Sequence, residues 1–311
     1  MFFSVLIAHY NNARFLAECL QSVLAQTYRQ WEVILVDDNS TDGFEQVIKD
    51  FENDSRVRVI RNEKNMGCAF TKRRCAENAM GIIAGFLDPD DTLHPEALEI
   101  MIKAHQEKPA CSLVYSTHNI CDENLAVIKE AGYQQQLPPD TPYLLLNDGS
   151  IHAFATFKVA CYNRTKGITA FRQYNKAIDQ DLYYLLEETG EVFYIDKPLY
   201  NYRIHKGGIS TLANKSSAAL AHYAIIEEAC LRRIAKLKLS KGPTAAHWIK
   251  KYKTRYYKIH IINSFRHRNW MTFIKSLSIY PFIGGMENII NYFKKLPKEG
   301  ISLLRKSFVE S

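Results

Sequence analysis

Short apolar runs alternate with amphipathic segments along the first third of the chain. Residues 3–8 form a continuous aliphatic and β-branched run, which is typical of a strand buried on both faces. Residues 13–26 place apolar side chains three and four positions apart, as an amphipathic helix does. By the same criteria we expect strands at residues 31–36, 57–60 and 82–87 and helices at residues 44–51, 69–79 and 96–107. This alternation predicts an α/β fold with a parallel sheet and helices on both faces.

The pattern changes in the second half of the chain. Further expected elements are strands at residues 112–116 and 192–195, a helix at residues 178–189 and a polar, proline-rich loop at residues 134–142. The last hundred residues have the pattern of long amphipathic helices rich in basic residues. We therefore predict two parts, an α/β domain of residues 1–211 and a helical extension of residues 212–311.

Charge separates the same two parts. The chain has 40 Lys and Arg against 33 Asp and Glu, a formal net charge of +7. About 19 of the basic residues but only about 5 of the acidic ones lie in residues 212–311, so residues 1–211 carry a net negative charge. The hydrophobic fraction of 47% and the charged fraction of 23% are those of an ordinary folded protein, and they exclude a disordered chain.

The cysteines and the N-terminal segment favour a cytoplasmic protein. The seven cysteines are an odd number without a C-x-x-C pair, which is the pattern of a reducing compartment. The first residues lack the features of a signal peptide, and no apolar stretch reaches the length of a spanning helix. Peripheral attachment to the inner face of the cell membrane stays open.

Three carboxylates follow directly after the apolar strand expected at residues 82–87. Asp88, Asp90 and Asp91 would repel one another there unless a cation or solvent compensates their charge. Hard oxygen ligands of this kind suit Mg²⁺ or Mn²⁺ held together with a diphosphate. The alternative is a strand-to-helix turn in which Asp91 or Thr92 caps the next helix. This segment alone does not decide between the two.

A second polar segment follows the strand expected at residues 31–36. Residues 37–43 have the sequence Asp-Asp-Asn-Ser-Thr-Asp-Gly, and carboxylates there could accept hydrogen bonds from a base NH or from ribose hydroxyls. For residues 40–42 we prefer the simpler interpretation that they cap the next helix. Asp38 is the residue of this segment that we expect to contact a nucleotide.

Five segments of the chain together resemble family 2 glycosyltransferases. They occur in the order and spacing of that family and are residues 4–11, Gln26-Thr27-Tyr28, residues 36–42, Asn65-Met66-Gly67 and residues 86–91. The resemblance covers residues 3–100 densely and returns at residues 177–210. It implies a GT-A type, Rossmann-like domain with a mixed, mostly parallel sheet, an inverting mechanism and a nucleoside-diphosphate-sugar donor. A UDP-sugar is the first expectation.

The resemblance also assigns donor-site residues by position. The expected donor-binding residues are Ala8, Tyr10, Asn11, Asp38, Asn65, Lys72 and Asp88, with Asp90 as a ligand of a divalent cation, Mn²⁺ or Mg²⁺. Two segments depart from the family pattern, because its usual Pro-Thr is Ala8-His9 here and its common Ala-Arg-Asn is Thr71-Lys72-Arg73. We expect Lys72 or Arg73 to neutralise phosphate charge.

Asp179 matches the position of the family's catalytic base. Residues 177–183 resemble the family's Glu-Asp-x-Asp-Leu segment, with Ile178 in place of the glutamate. An inverting transfer needs one carboxylate beside the acceptor hydroxyl to take its proton. Asp181 lies two residues on and would point elsewhere on a helix, so we favour Asp179 as the base and expect Asp181 to orient a neighbour in the catalytic site.

Residues 202–210 resemble the family's closing Tyr-Arg-x-His segment. The resemblance makes His205 a second metal ligand and Arg203 or Lys206 a phosphate contact. The glycine pair at residues 207–208 would let the loop move as a lid over the diphosphate.

The helical extension has aromatic side chains among its basic residues, including Trp248, Tyr252 and Trp270. This combination suits an anionic membrane surface and a lipid-linked sugar acceptor. An ordinary helical subdomain that packs on the first domain is an equally weighted and compatible alternative. No recognised nucleic-acid-binding motif accompanies the basic residues, so no nucleic acid partner is expected.

Three functions stay open from the sequence, and the leading one is a metal-assisted glycosyltransferase acting on a hydroxyl of a glycan or lipid-linked acceptor. A nucleotidyltransferase would bring a Gly-rich phosphate loop and a lysine near the first strand, and residues 9–12 offer neither. The substitution at Ile178 keeps open a non-catalytic nucleotide-sugar-binding or membrane scaffold protein, although the retained Asp179 counts against it. No oligomeric state is predicted.

Overall fold

The computed structural model describes residues 1–146, 150–169, 177–206, 215–240, 242–266 and 269–284. The chain divides into two compact units, Met1–His222 and Tyr223–Ser311. The first unit contains the sheet, and the described part of the second is helical. The boundary predicted at residue 212 lies outside the described residues and stays a prediction.

The bounds of the regular elements are as follows. The strands are β1 (Phe3–His9), β2 (Trp31–Asp37), β3 (Val57–Arg61), β4 (Ile83–Phe86), β5 (Thr92–Leu93), β6 (Cys111–Cys121), β7 (Val127–Glu130), β8 (Ala155–Lys158) and β9 (Glu191–Arg203). The helices are α1 (Ala13–Leu24), α2 (Phe44–Ile48), α3 (Cys68–Glu77), α4 (Ala97–Glu107), α5 (Tyr143–Leu146), α6 (Val159–Tyr162), α7 (Ile178–Glu187), α8 (Lys215–Lys238), α9 (Pro243–Arg266) and α10 (Trp270–Gly284).

The strands of the described residues form one mixed sheet. Their order is β3-β2-β1-β4-β8-β6-β9-β5, and β7 pairs with β6. β1 is parallel to β2 and β4, β2 is parallel to β3, and β6 is parallel to β9. β8 runs antiparallel to both of its neighbours, β4 and β6. Six strands therefore run in one direction, and the prediction of a mixed, mostly parallel sheet is confirmed.

The central strands are buried because their side chains are almost all apolar. Every residue of β2 is buried, and on β1 only Ala8 is partly exposed. The buried residues of α1, among them Phe15, Leu16 and Val23, recur at helical spacing. Leu16 and Val23 share one core cluster with Val5 of β1 and with side chains of β2, so the amphipathic pattern read from the sequence corresponds to a real core face.

Three strands were not predicted from the sequence. β5 has two residues and β8 has four, which is too short for a periodic signal. All four residues of β7 are exposed, so no apolar alternation marks it. Two other strands are longer than predicted, because the ladder between β6 and β9 continues through register shifts as far as Cys121 and Arg203.

The second unit contains its own small core. Ile261 of α9 packs with Phe273 and Tyr280 of α10. The described helices include none that is both long enough and apolar enough to cross a membrane.

A buried histidine between α4 and β8 predicts a pH dependence of folding. His105 is buried, and its Nε2 lies 3.0 Å from Oγ1 of Thr156. Burial and then the Lys158 ammonium lower the pKa of His105 to about 3. As the pH falls below about 6.5, the unfolded chain binds a proton on this histidine and the folded chain does not, so stability is lost between about pH 6.5 and 3. When the pH is lowered from 8 to 5, the free energy of unfolding should fall by about 2 kcal/mol less in His105→Gln than in the wild type. Urea titration at the two pH values measures this difference.

His247→Gln is a matched control because His247 is exposed. Its free energy of unfolding should follow the wild type across the same pH range. Equal losses in His105→Gln and the wild type would show that His105 is not the group responsible.

Candidate active site

The carboxyl ends of β1, β2 and β4 meet at one edge of the sheet. Ala8 and His9 end β1 and pair with Val36 and Asp37, which end β2. β4 ends just before Leu87 and the carboxylates that follow it. Open α/β sheets bind ligands at this edge, because the loops that follow the strands converge there. The structure therefore brings the first, second and last motif segments of the N-terminal region together.

His9 and Asp37 form a buried hydrogen-bonded pair between the ends of β1 and β2. Nδ1 of His9 lies 3.0 Å from Oδ1 of Asp37, and Oγ of Ser40 donates to the same oxygen. The backbone NH of Asn12 lies 3.3 Å from Nε2 of His9, so Nδ1 is the nitrogen that carries the proton toward Asp37. Burial alone would raise the pKa of Asp37, but the hydrogen bonds from His9 and Ser40 outweigh it and lower the pKa. The pair fastens the two strand ends together.

Asp38 organises the loop that leads into α3. Its Oδ1 accepts from Nδ2 of Asn62 at 2.7 Å and from the backbone NH of Met66 at 2.8 Å, and its Oδ2 accepts from the NH of Gly67 at 2.8 Å. Oδ1 of Asn65 also accepts from the NH of Gly67, at 3.1 Å. Asp38 is thus a buried hub for the motif Asn65-Met66-Gly67. Its predicted contact with a nucleotide stays a prediction.

Tyr10 and Asn11 lie exposed at the same edge, and Ala8 is partly exposed. Asn11 has a φ of 50°, a left-handed conformation that Asn tolerates better than most residues. Its Oδ1 accepts from the NH of Thr41 at 2.9 Å, and its NH donates to Oγ of Ser40 at 3.0 Å. These bonds hold the loop after β1 beside the loop after β2 and leave the Tyr10 ring accessible.

Lys72 lies between two of the predicted functional carboxylates. Its Nζ is 2.8 Å from Oδ1 of Asp179 and 3.2 Å from Oδ1 of Asp88. Burial alone would lower the pKa of Lys72, but the charges of Asp179 and Asp88 outweigh it and hold the pKa well above its usual value. Lys72 is therefore a charged, buried cation that joins α3, the end of β4 and the first turn of α7.

The surroundings of Asp88 raise its pKa and so favour its protonated form. Desolvation raises its pKa, the Lys72 charge lowers it, and Asp179 and Asp90 raise it further, with a net increase. Such a carboxylate favours ligands that bring positive charge or hydrogen-bond donors. Its neighbourhood also contains Cys68 at the start of α3, whose thiol pKa burial raises to about 11.

Asp90 and His205 form a close pair that Arg14 contacts from the other side. Oδ2 of Asp90 lies 2.9 Å from Nε2 of His205, and Nη2 of Arg14 lies 3.0 Å from Nδ1 of His205. Because arginine can only donate, Nδ1 accepts in this arrangement and Nε2 carries the proton that faces Asp90. The Phe15 ring packs beside the imidazole, with ring centroids 4.7 Å apart.

The separation within this hydrogen-bonded pair is also compatible with a divalent cation in place of the proton. Two adjacent ligands of an octahedral Mg²⁺ or Mn²⁺ with bonds of about 2.1 Å lie about 3.0 Å apart, close to the 2.9 Å between Asp90 Oδ2 and His205 Nε2. The described residues contain no group of three or more His, Cys, Asp or Glu arranged for a metal. This fits a cation that takes its other ligands from a diphosphate and water. Ligation through Nε2 also requires that Nδ1 takes the proton and that Arg14 withdraws its donor.

Asp91 and Arg203 join the carboxylate segment after β4 to β9. Asp91 accepts from the hydroxyl of Tyr200 at 2.7 Å and from the NH of Arg203 at 2.7 Å. The buried Arg203 guanidinium donates to the carbonyls of Asp90 and Glu123 and to Oε2 of Glu18. The structure thus gives the Arg203 guanidinium three protein partners, and its predicted contact with a phosphate stays a prediction. The alternative in which Asp91 caps the next helix does not apply, because its carboxylate is held by β9.

Asp179 and Asp181 separate as the helical geometry requires. Asp179 is half-exposed and faces Lys72, whereas Asp181 is buried in the first turn of α7. Lys206 is exposed. The predicted lid at residues 207–208 lies outside the described residues.

Several residues of the site carried no signal in the sequence. Arg14 is one of several surface arginines until the fold places it against His205. Tyr200 donates to Asp91 across 109 positions of the chain. Only the fold relates such residues, whereas Asp88, Asp179 and His205 stood in segments with a recognisable pattern.

Comparison with known proteins decides the family. A sequence profile described as glycosyl transferase family 2 matches residues 4–182, more than half of the chain. The chain belongs to glycosyl transferase family 2. The matched residues include β1, Asp38, Lys72, the carboxylates after β4 and Asp179. The family predicted from the motif segments is confirmed.

Curated relatives of this family 2 chain include bacterial polysaccharide synthases. The chondroitin synthase of Escherichia coli is 28% identical over 230 residues, which are 74% of this chain and 32% of the relative. The hyaluronan synthase of Pasteurella multocida is 28% identical over 231 residues, 74% of this chain and 23% of the relative. The chain therefore spans about a third or less of these relatives.

Solved structures share the fold at lower identity. S. aureus TarS 1-349 in complex with UDP-GlcNAc superposes with a TM-score of 0.65 at 20% identity, covering 90% of this chain and 80% of that one. The mannosyltransferase PcManGT from Pyrobaculum calidifontis, in complex with GDP-Man and Mn²⁺, gives a TM-score of 0.56 at 16% identity, covering 99% and 79%. The GT-A type of fold is confirmed.

The Asp38 hub predicts a local loss of protection. In Asp38→Ala the backbone NH groups of Met66 and Gly67 lose their acceptor, so their hydrogen exchange should accelerate by at least about 10-fold. Met66 should show the larger effect because Gly67 keeps its contact with Asn65. Hydrogen-exchange mass spectrometry of the segment measures this. Glu63→Gln is the control because Glu63 is exposed. Unchanged exchange rates at Met66 and Gly67 in Asp38→Ala would show that Asp38 does not hold this loop.

Proposed function

We propose that the chain transfers a sugar, with inversion, from a nucleoside-diphosphate-sugar to a hydroxyl group of a glycan or lipid-linked acceptor, and that a UDP-sugar is the donor. The observation that carries this proposal is the ion pair of Lys72 with Asp88 and Asp179. It joins the carboxylate at the donor edge of the sheet to the carboxylate in the position of the family's base. Family 2 membership supports the reaction class.

The donor proposal draws support from shape and from charge. TarS was solved with UDP-GlcNAc and PcManGT with GDP-Man and Mn²⁺, and both share this fold. In this chain the loops after β1 and β2 lie side by side, with Tyr10 exposed. Tyr10, Asn11 and Asp38 would thus face the base and ribose, and Asp88 the ribose.

Asp179 is the proposed base. It is half-exposed, and Lys72 holds its carboxylate next to Asp88. There it can take the proton of an acceptor hydroxyl as that oxygen attacks the anomeric carbon from the face opposite the diphosphate. Lys72 offsets part of the negative charge of the two carboxylates, which weakens the repulsion that an anionic donor meets there.

Asp90 and His205 are the proposed metal ligands. Their 2.9 Å separation and their position at the end of β4 suit a divalent cation, Mn²⁺ or Mg²⁺. When bound, the cation stabilises the negative charge that develops on the leaving diphosphate. Arg203 keeps the Asp90 carbonyl in place, and Phe15 packs against the imidazole.

The competing functions have less support. A nucleotidyltransferase does not fit membership in glycosyl transferase family 2. A non-catalytic binding protein would have no need to keep a half-exposed carboxylate at the donor edge, and Asp179 lies there with Lys72.

Asp90→Asn should remove the metal-dependent part of donor binding. The variant loses one anionic ligand, so UDP affinity in the presence of Mn²⁺ should fall by at least about 10-fold while metal-free affinity stays unchanged. Calorimetric titration with UDP, with and without Mn²⁺, measures both. Glu96→Gln is the control because Glu96 is exposed. Unchanged UDP affinity of Asp90→Asn with Mn²⁺ would sink the metal assignment.

Asp179→Asn should separate binding from chemistry. It keeps the nucleotide pocket but deletes the base, so transfer should fall by roughly 10²–10⁴-fold with UDP affinity little changed. Release of UDP from the donor in the presence of acceptor measures transfer. Asp181→Asn serves as the comparison, and wild-type transfer by Asp179→Asn together with loss in Asp181→Asn would move the role to Asp181.

The contact with an anionic membrane surface stays a prediction. Lys250, Lys251 and Lys253 are exposed on α9, and Met271 and Ile274 are exposed on α10. Basic and apolar side chains together suit a membrane surface. Replacing the three lysines by glutamate should reduce cosedimentation with phosphatidylserine vesicles at low salt. Unchanged cosedimentation would favour the packing interpretation.

A further inference from the structure

A cluster of four aromatic and imidazole rings lies within the first unit. Its members, called the ring cluster here, are His118, Tyr133, His152 and Tyr202. The two imidazoles stack with centroids 5.0 Å apart and planes at 29°. Tyr133 stands at right angles to His152, at 5.9 Å and 89°, and Tyr202 meets both imidazoles edge to face. The four rings therefore pack against one another as one compact group.

Strand register places the ring cluster beside the donor edge. Residue 85 of β4 pairs with residue 156 of β8, and the antiparallel ladder brings Ala153 level with Asp88 when it is continued past the strand ends. Tyr115 of β6 pairs with Ala155, and the same continuation brings His118 level with His152. β8 therefore begins at the edge where β4 ends, and His152 lies just before it in the chain, on the same side of the sheet as the loop that carries the carboxylates.

Electrostatics agrees with this placement. Burial lowers the pKa of His152. The nearby charge of Asp179 raises that pKa, and the charge of Lys72 lowers it further. Burial also lowers the pKa of His118 to about 4. Both imidazoles are therefore neutral at physiological pH, and His152 lies close enough to Asp179 and Lys72 for their charges to act on it.

The ring cluster is open to a ligand on one side and has polar groups around it. Tyr133 has 42% of its surface exposed, and its hydroxyl lies 3.2 Å from Nε2 of His118. Gln134 is buried, its amide nitrogen contacts Nδ1 of His118, and its Oε1 has no hydrogen-bond partner within the described part of the chain.

Ring faces combined with amide and hydroxyl groups suit a sugar more than a lipid chain. A pyranose presents C–H groups on its faces, which pack against aromatic rings, and hydroxyls on its rim, which need hydrogen-bond partners. An alkyl chain has no hydroxyls to bond with polar groups beside the rings. The chemistry of the cluster therefore selects a saccharide.

We propose that the ring cluster is the acceptor subsite and holds the sugar ring whose hydroxyl faces Asp179, with Tyr133 as the exposed stacking surface. This proposal rests on the proposed transfer reaction. It names the acceptor as a saccharide whose terminal ring is bound directly, whatever carrier that saccharide is attached to.

The test separates acceptor binding from donor binding on the full chain. Saturation-transfer NMR with UDP present would use methyl β-glycosides of glucose, N-acetylglucosamine and glucuronic acid, together with octyl β-glucoside. The wild type should saturate the ring protons of at least one glycoside, and in octyl β-glucoside the ring protons more than the chain protons. Tyr133→Ala should weaken the glycoside by at least about 10-fold with unchanged UDP affinity.

Tyr133→Phe and Tyr133→Trp are the matched controls, because they keep an aromatic face and should retain glycoside binding. Tyr133→Ala that binds the glycoside as the wild type does would overturn the proposal. So would saturation confined to the octyl chain, or an absence of glycoside signal from a wild type that binds UDP. A wild type that fails to bind UDP would instead overturn the donor assignment.

Discussion

The structure depends on how it accommodates three carboxylates within four residues at the end of β4. Each has a different partner. Lys72 faces Asp88, His205 faces Asp90, and the Tyr200 hydroxyl with the NH of Arg203 satisfies Asp91. Unpaired, such a group of charges at the end of a buried strand would repel and destabilise the edge. The partners come from α3, from the segment after β9 and from β9 itself, so formation of the carboxylate segment requires most of the first unit to be folded.

The three carboxylates differ in whether a ligand can replace their partners. The carboxylate of Asp91 is occupied by β9, because one oxygen accepts from the Tyr200 hydroxyl and the other from the backbone NH of Arg203. Asp88 and Asp90 keep partners that a ligand can replace, a lysine ammonium and an imidazole. The lysine also reaches Asp179, so the donor edge and the first turn of α7 share one counter-ion. The charge balance of the proposed base is therefore coupled to that of the donor side.

Much of the fold was predictable because its signals are local. The apolar runs of β1 and β2 and the amphipathic face of α1 follow directly from residue periodicity. The site residues Asp88, Asp90, Asp179 and His205 stood in segments with family spacing. The sequence could not show which side chains contact one another in the site. No sequence pattern around Lys72 indicates that it contacts two carboxylates. Likewise, no pattern indicates that Arg203 donates to protein oxygens or that Arg14 fixes the tautomer of His205. β7 and β8 escaped prediction because one is wholly exposed and the other has four residues.

The antiparallel strand β8 has a consequence for how such a protein can diversify. It enters the sheet between β4 and β6, and so the connection from β7 to β8 begins and ends beside the donor edge. The residues of that connection are anchored by a strand, yet they belong to none of the loops that follow β1, β2 and β4. Insertions and substitutions in it can alter the surface beside the donor edge while the loops after β1, β2 and β4 keep their geometry. If the ring cluster binds the acceptor as proposed, a lineage can acquire a new acceptor by changing this one connection and leave the residues after β1, β2 and β4 as they are.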